Sequence, residues 1–133
     1  MLLIAARVDR STIHGLGVFA LERIPEGTPV WTFEPRFDQA FSASEFTALP
    51  VQAQAHLRHF GYLDAARGRW VLNADLSIFL NHSTTPNTGA PGQEGAAVLT
   101  VALRNIEADE ELTCDYGTFD AGDKPIAAEG RSS

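Results

Sequence analysis

Short apolar runs separated by turn residues make up the first part of the chain. Residues 2–8, 18–21 and 29–33 are rich in residues that favour extended backbone, and the turn at residues 24–28 contains a proline and a glycine. We therefore expect three early strands.

The sequence pattern changes after Asp38 from one typical of strands to one typical of helices. Ser42 and Glu45 have the spacing of a capping box, in which each side chain satisfies the other residue's backbone amide, so a helix is expected to begin there. Pro50 would be costly inside a helix, so we expect two short helices, the second over about residues 51–59. The pattern predicts a helical insert over about residues 42–59.

Extended segments follow this insert. Residues 61–64 and 70–73 flank a loop that contains a glycine, which predicts a hairpin, and residues 96–103 predict a further strand. Tyr62 and Trp70 either face a site or pack the sheet, and core packing is the commoner case.

Residues 111–117 form the last extended piece. Strand alternation places Leu112, Cys114 and Tyr116 on one apolar face. A tyrosine hydroxyl in apolar surroundings needs a hydrogen-bond partner, which suits a residue that orients a substrate, although an ordinary core tyrosine is the commoner case.

A polar segment at residues 79–88 has a different character. Asn81 and His82 directly follow two hydrophobic residues, and Pro86, Asn87 and Gly89 favour turns over regular structure. We expect this segment to be exposed or held in place by a ligand.

Composition sets the size of the fold. The 133 residues are 44% hydrophobic and 20% charged, which fits one domain that buries a core without disulfides or a metal. The tail at residues 120–133 is rich in small and charged residues and is expected to be disordered or laid across the body. We place the domain at residues 1–119.

The charge balance is acidic. Ten Lys and Arg face seventeen Asp and Glu, a formal net charge of -7, which disfavours nucleic acid as a partner. A basic, Lys-containing protein or peptide is the natural complement of this charge. The equal alternative is a solvated acidic surface that serves only solubility.

Few residues have the chemistry to bind a metal. Cys114 is the only cysteine, which excludes an intrachain disulfide, and His56 and His59 lie one helical turn apart without a third ligand at suitable spacing. We therefore expect no metal. The start lacks a basic leader and no stretch approaches membrane-spanning length, so a cytoplasmic protein without membrane contact is expected.

Several short motifs combine into a larger signal. Gly15-Leu16-Gly17 alone is weak, since glycine pairs mark tight turns in most folds. In their order and spacing, however, the motifs resemble a SET domain up to about Phe119. They are Gly15-Leu16-Gly17-Val18-Phe19-Ala20, Ile24-Pro25-Glu26-Gly27, Phe79-Leu80-Asn81-His82-Ser83 with Pro86-Asn87, Arg104-Asn105-Ile106, Glu110-Glu111-Leu112 and Asp115-Tyr116-Gly117.

This resemblance implies a mostly β fold of small curved sheets with a C-terminal knot-like crossing, where Asn81, His82 and Tyr116 would meet. It also implies a protein-lysine methyltransferase that uses S-adenosyl-L-methionine, with Tyr116 as the catalytic tyrosine. The residues it implies for cofactor binding are Gly15, Leu16, Gly17, Asn81, His82, Tyr116 and Phe119, and those for the substrate-lysine channel are Cys114, Tyr62 and Phe79.

The chain also departs from the family pattern. Ile78 and Thr84 stand where an arginine and a cysteine are frequent, and the cysteine-rich modules that close the lysine channel in many members are absent. The tail after Gly117 or a second copy in a homodimer would have to close it. Cys114 is smaller than the aromatic residue common at its position, which leaves room for higher methylation states unless another side chain fills the space.

Two other functions fit parts of the sequence. One is a catalytically inactive SET-like module that binds a basic protein segment, although Asn81, His82 and Tyr116 are all retained. The other is a thiol hydrolase based on Cys114, which lacks a paired His and Asp motif.

Overall fold

Three small sheets and two short helices form the fold in the computed structural model, which describes residues 1–92, 99–118 and 120. The strands are β1 (Ala6–Arg10), β2 (Leu16–Ala20), β3 (Pro29–Thr32), β4 (Gln39–Ser42), β5 (Tyr62–Asp64), β6 (Arg69–Leu72), β7 (Asn81–His82), β8 (Thr88–Gly89), β9 (Leu99–Ala102) and β10 (Glu111–Cys114). The helices are α1 (Ala43–Ala48) and α2 (Val51–Phe60), with short 3₁₀ helices at Leu76–Phe79 and Tyr116–Thr118. The prediction of a mostly β fold with a short helical insert is confirmed.

The largest sheet carries the candidate site. Its strand order is β1-β2-β10-β7, so the last strand among the described residues lies between two earlier ones. β10 runs antiparallel to β2 but parallel to β7, with Thr113 opposite Asn81 and Cys114 opposite His82. The two other sheets have the orders β3-β9-β8 and β4-β6-β5.

The hydrophobic core includes residues of this sheet. Val18, Leu112 and Ile106 are completely buried, and Ile24 forms an isolated bridge to Ile106. Burying side chains of this size contributes about 1.5–3 kcal/mol each. The packing holds β2 and β10 side by side, which fixes the position of the glycine segment at the start of β2.

The helical insert has the boundaries that its local signals predict. The Ser42 hydroxyl accepts from the amide of Glu45, and the Glu45 carboxylate accepts from the amide of Ser42, which forms the expected capping box. Pro50 precedes α2, and that helix ends at Phe60, one residue beyond the expected end. Phe46 stacks on Trp70 with ring centroids 4.7 Å apart and so fastens the insert to β6.

Several element boundaries differ from the sequence-based expectation. β4 was not expected, because it owes its extended form to pairing with β6 rather than to its own residues. The first strand begins at Ala6, whereas Leu2 makes only a bridge to Trp31. Within the expected strand at residues 96–103, residues 96–98 lie outside the described part and β9 covers Leu99–Ala102.

The last extended piece is shorter than expected. β10 ends at Cys114 and a 3₁₀ turn begins at Tyr116, so strand alternation does not set the direction of the tyrosine. From the tail, the structure describes Asp120, whose amide donates to the Tyr116 carbonyl at 2.9 Å and whose carboxylate accepts from the amide of Leu63 at 3.0 Å. No helix within the described ranges is long and apolar enough to cross a membrane.

Candidate active site

Asn81 is the most connected side chain of the site. Its amide nitrogen donates to the carbonyl oxygens of His14 (3.1 Å) and Leu16 (3.0 Å) and to the Glu111 carboxylate (2.8 Å). The two carbonyls flank Gly15, which has a left-handed φ of 47°. Because all three partners are acceptors, the nitrogen and not the oxygen of this amide faces the glycine segment.

Gly17 allows a carboxylate to approach the backbone closely. A Cβ atom at this position would lie 2.3 Å from Oε2 of Glu111, which is closer than any real contact. The resemblance implies a cofactor role for Gly17, and in the structure the group that approaches this glycine is the protein's own Glu111.

His82 is hydrogen-bonded to the backbone of Tyr116. Its Nδ1 accepts the backbone amide of Tyr116 at 3.1 Å, and the two rings lie 5.4 Å apart. An imidazole nitrogen that accepts a hydrogen bond carries no proton, so the neutral ring carries its proton on Nε2. The carboxylate of Asp115 lies 3.6 Å from the same Nδ1, and this contact is therefore not an ion pair in the neutral ring.

Tyr116 closes a small pocket. Its hydroxyl donates to the carbonyl oxygen of Leu80, the residue directly before Asn81. The residues that line this pocket are Leu16, Phe60, Ile78, Phe79, Leu80, Asn81 and Tyr116. The pocket therefore joins the glycine segment, the end of the helical insert, the 3₁₀ turn before β7 and the turn after β10.

The structure brings together most of the residues that the sequence singled out. Leu16, Asn81, Tyr116 and Phe79 line the pocket, and His82 accepts the backbone amide of Tyr116. Gly15 lies between His14 and Leu16, whose carbonyls accept from Asn81. Gly17 lies against Glu111 at its edge. Phe119 lies outside the described residues.

Two residues predicted for the lysine channel, Tyr62 and Cys114, are not part of the lining of this pocket. Tyr62 is 8% exposed in the core, where it packs edge-on against Trp31 at 6.5 Å, and burial together with the charge of Asp64 raises the pKa of its hydroxyl well above the usual range. Cys114 is buried with its sulfur 4.0 Å from the Asn81 carbonyl oxygen. Neither residue lines the pocket that contains Tyr116.

The sequence did not indicate two contributors to this site. Phe60 reaches the pocket from the last position of α2 and packs edge-on against Phe79 at 6.1 Å. Glu111 was placed on the polar face of its strand, and only the fold shows what it contacts. The single available signal for Phe60 was its position just before Gly61, at the end of the expected insert.

The polar segment after His82 is exposed at Thr84 and Thr85, as expected, but its end is held by the protein itself. The Asn87 amide nitrogen donates to the Glu111 carbonyl at 2.8 Å, and its oxygen accepts from the amide of Thr113 at 2.8 Å. The Thr88 hydroxyl donates to the Thr113 carbonyl at 2.7 Å. Both Asn87 and Thr88 are 1% exposed, so the chain around β10 satisfies their polar groups.

The acidic residues before β10 do not form a bare negative surface. Glu107 lies 3.5 Å from Arg23, Asp109 lies 3.3 Å from Arg7, and Glu110 lies 2.5 Å from Arg104. The Arg104 guanidinium lowers the pKa of Glu110 through a hydrogen bond. In the described part of the chain, no group of three or more His, Cys, Asp or Glu side chains has the geometry of a metal site.

Fold and site define a protein of small β-sheets whose ligand pocket lies where β7 runs parallel to β10. The family model for the SET domain matches residues 15–117. The chain therefore belongs to the SET domain family, as its motifs suggested.

Relatives and solved structures agree with this family. A histone-lysine N-methyltransferase, H3 lysine-4 specific, from Chaetomium globosum is 31% identical over 124 residues, which cover 80% of this chain and 10% of that protein. A protein of the same name from Aspergillus oryzae is 31% identical over 127 residues, covering 83% of this chain and 9% of the relative. The chain thus spans about a tenth of the length of these relatives.

Two solved structures show the same fold. A humanized mutant of the Chaetomium thermophilum Polycomb Repressive Complex 2 bound to an inhibitor aligns with a TM-score of 0.64 and 26% identity, covering 87% of this chain and 15% of that chain. The ctPRC2 complex in an autoinhibited conformation bound to S-adenosylmethionine aligns with a TM-score of 0.65 and 24% identity, over 87% of this chain and 16% of that chain. The prediction of a SET-domain fold is confirmed.

Proposed function

We propose that this SET domain transfers a methyl group from S-adenosyl-L-methionine to the side-chain amine of a lysine in a protein substrate, with Tyr116 orienting the amine. The observation that carries the proposal is the Tyr116 hydroxyl, which is fixed on the Leu80 carbonyl inside a pocket shared with Asn81. Support also comes from the relatives, which are named histone-lysine methyltransferases.

The pocket has the chemistry that this cofactor requires. S-adenosyl-L-methionine is cationic at its sulfonium and ammonium groups, and among the described residues that line the pocket none carries a formal charge that would repel it. No described residue hydrogen-bonds Oδ1 of Asn81, so this oxygen is an acceptor for an ammonium group. Gly15, Leu16 and Gly17 would provide the backbone bed and Asn81 and His82 would hold the cofactor. When bound, the cofactor supplies an electrophilic methyl group.

The apolar walls of the pocket would favour the neutral form of the substrate lysine. A free lysine has a pKa of about 10.4, so only about one molecule in a thousand is neutral near neutral pH, a cost of about 4 kcal/mol. Burial between Phe60 and Phe79 disfavours the ammonium form and lowers this cost. The neutral amine is the nucleophile.

Tyr116 has the geometry to orient this amine. Its proton is donated to the Leu80 carbonyl, so the hydroxyl acts toward the substrate as an acceptor of an amine N–H. An amine that donates to Tyr116 keeps its lone pair for the methyl carbon, and holding the reactants in line in this way lowers the barrier. His82 keeps the tyrosine in place through its backbone amide.

The acceptor protein that we propose is basic and contains lysine. The chain has a formal net charge of -7, and opposite charges raise the rate of encounter. The pairing of Glu107, Asp109 and Glu110 with arginines means that this attraction would come from the overall field more than from those three side chains.

Calorimetry and a transfer assay test the proposal together. The wild-type chain should bind S-adenosyl-L-methionine, Asn81→Ala should abolish that binding, and labelled methyl should pass to recombinant histone H3 as the probe substrate. Tyr116→Phe should keep wild-type cofactor affinity but lose about a hundredfold or more in turnover, because the amine is no longer aligned.

Two results would contradict the proposal in different ways. Full turnover by Tyr116→Phe would remove the tyrosine from the mechanism. Absence of cofactor binding by the wild-type chain at millimolar concentration would exclude methyl transfer and favour a module that only binds protein.

A further inference from the structure

Glu111 is a carboxylate at the site for which the proposed reaction has no role. It lies at the start of β10, next to the glycine segment of β2, and pairs with Phe19 across the sheet. Its two oxygens lie 2.7 and 2.9 Å from the Ser11 hydroxyl, and Oε2 also lies 2.8 Å from the Asn81 amide nitrogen. It therefore joins two chain segments to β10.

The bond to Asn81 determines how that side chain is presented. An amide nitrogen has two hydrogens, and here they serve three acceptors, of which the carboxylate is the closest and the only charged one. Hydrogen bonds to charged groups are roughly twice as strong as neutral ones. Glu111 thus holds the Asn81 nitrogen toward the glycine segment and leaves its oxygen for the pocket.

The bond to Ser11 determines the shape of the turn that contains Gly15. The Ser11 hydroxyl accepts from the amide of Ile13 at 2.9 Å, and the Ser11 amide donates to the Gly15 carbonyl at 2.8 Å. Because the hydroxyl hydrogen is used on Glu111, its lone pairs remain for this turn. The carboxylate thereby connects the turn before β2 with Asn81.

Gly17 provides the space that this arrangement requires. A Cβ at this position would lie 2.3 Å from Oε2 and 2.8 Å from Cδ of Glu111, so any side chain there displaces the carboxylate. The other nearby atom, Cβ of Ser11, would be 3.1 Å away, which needs only a small adjustment. The requirement for glycine at position 17 therefore follows mainly from the presence of Glu111.

We infer that Glu111 is a positioning residue for cofactor binding, which acts through Asn81 and the Ser11 to Gly15 turn and does not touch the reacting atoms. This inference rests on the proposed function. It also gives Gly17 a role in this arrangement, because the absence of a side chain there leaves room for the Glu111 carboxylate.

The first test compares cofactor affinity by calorimetry in matched variants. Glu111→Ala should raise the dissociation constant for S-adenosyl-L-methionine about tenfold or more, the loss expected for a charge-assisted hydrogen bond. Glu111→Gln should recover part of the affinity, since its amide oxygen still accepts from Asn81. Glu110→Gln is the control, because that neighbouring carboxylate pairs with Arg104 at the surface, and its affinity should match the wild type.

Kinetics distinguish positioning from catalysis. At saturating cofactor the turnover of Glu111→Gln should stay within about threefold of the wild type, while the KM for the cofactor rises, as expected when binding and not the transition state is affected. Thermal unfolding of each variant monitors folding. If Glu111→Ala does not fold, the comparison rests on Glu111→Gln and on Gly17→Ala alone, which displaces the carboxylate without removing it.

A double-mutant cycle supplies the sharpest test. Gly17→Ala alone should weaken cofactor binding, because its methyl group displaces the carboxylate. In the Glu111→Ala background, Gly17→Ala should cost little more, so that the double variant binds as Glu111→Ala does. Non-additivity of this kind is the signature of a shared contact.

The outcomes separate this inference from the proposed function. Wild-type binding combined with unchanged affinity in Glu111→Ala, or with strictly additive losses in the cycle, overturns the inference and leaves the proposed function standing. A wild-type chain that binds no cofactor overturns the proposed function itself. The exchange rate of the Asn81 side-chain amide hydrogens, measured by NMR without cofactor, should rise in Glu111→Ala. An unchanged rate would directly contradict the inference that Glu111 holds the Asn81 side chain.

Discussion

At the scale of single residues, each polar side chain of the site has one of its polar groups hydrogen-bonded within the protein. The nitrogen of Asn81 is bound to the glycine segment, Nδ1 of His82 is bound to a backbone amide, and the proton of Tyr116 is bound to a carbonyl. What Asn81 and Tyr116, which line the pocket, offer a ligand is then the opposite end: an amide oxygen and a hydroxyl lone pair. This complementarity could not be derived from the sequence, since it depends on partners between 34 and 67 positions away.

Cys114 provides a prediction about the number of methyl groups added. Its sulfur lies beside the carbonyl of Asn81, which lines the pocket, and the residue is 8% exposed, so a larger side chain must displace its neighbours. Cys114→Tyr should shift the products toward monomethyl-lysine, which mass spectrometry of the methylated substrate would measure.

Cys114→Ser is the matched control for size. It should leave the distribution of products unchanged while lowering stability slightly, because a hydroxyl replaces a buried thiol. Product ratios in Cys114→Tyr equal to those of the wild type would show that Phe60 or Phe79, and not position 114, limits the space around the amine.

At the scale of elements, local signals predicted local structure well. The capping box at Ser42 and the break at Pro50 set α1 and α2 nearly to the residue, because these signals act within a few positions of where they lie. Two of the missed features depend on distant pairing: β4 pairs with β6, and the buried Asn87 is bonded to β10. The motif resemblance supplied the fold where local patterns did not.

The 3₁₀ turn before Leu80 yields a prediction about acid stability. Asp75 caps this turn by accepting from the amide and hydroxyl of Ser77, and it also accepts from the amide of Leu2 at 2.7 Å. Burial raises the pKa of Asp75, but these hydrogen bonds outweigh burial and lower it below the ordinary 3.8. The unfolded chain therefore takes up the proton more readily, and this stabilisation is present above pH 3.8 and lost as pH falls below it.

Asp75→Asn tests this interpretation. At pH 7 it should lower the free energy of unfolding by about 1 kcal/mol, because hydrogen bonds to a charged acceptor are stronger than those to a neutral amide oxygen. Urea unfolding at several pH values should show that the difference between wild type and variant narrows toward pH 3. A constant difference across this range would show that the charge of Asp75 contributes nothing.

Gly61 yields a prediction about the wall of the pocket. A Cβ here would lie 2.5 Å from the Val71 carbonyl oxygen and 2.8 Å from that of Leu57, and neither backbone oxygen moves easily. Gly61→Ala should therefore destabilise the fold by about 1–3 kcal/mol, the usual cost of overpacking, and displace the end of α2 with Phe60.

Gly89→Ala is the comparison for this change. Its Cβ would meet only the flexible end of Leu103, at 3.1 Å, so it should cost much less in urea unfolding. Equal losses in the two variants would show that crowding at Gly61 is not what sets its effect.

At the scale of the whole molecule, the pocket lies at the end of the described chain. Asp120 is hydrogen-bonded to both Tyr116 and Leu63, so the segment that follows begins beside Tyr116. A chain truncated after Asp120 should keep its cofactor affinity but lose turnover, because the lysine channel would remain open to water and the amine would stay charged.

The control for the truncation is a variant that keeps the full length of the chain. Replacing residues 121–133 with a Gly and Ser linker should reproduce the loss if their side chains matter. Full activity of the truncated chain would favour closure by a second copy, which sedimentation at increasing concentration would detect as a homodimer.

The strand order of the large sheet has a consequence during synthesis on the ribosome. β10 is the last strand in the described part of the chain, yet it lies between β2 and β7. Until it emerges, β7 has no partner in this sheet and β2 is paired only with β1, so their open edges can associate with other chains. A nascent chain of this protein therefore depends on its final strand for both solubility and activity, and stalled or prematurely terminated products would be expected to aggregate instead of retaining partial function.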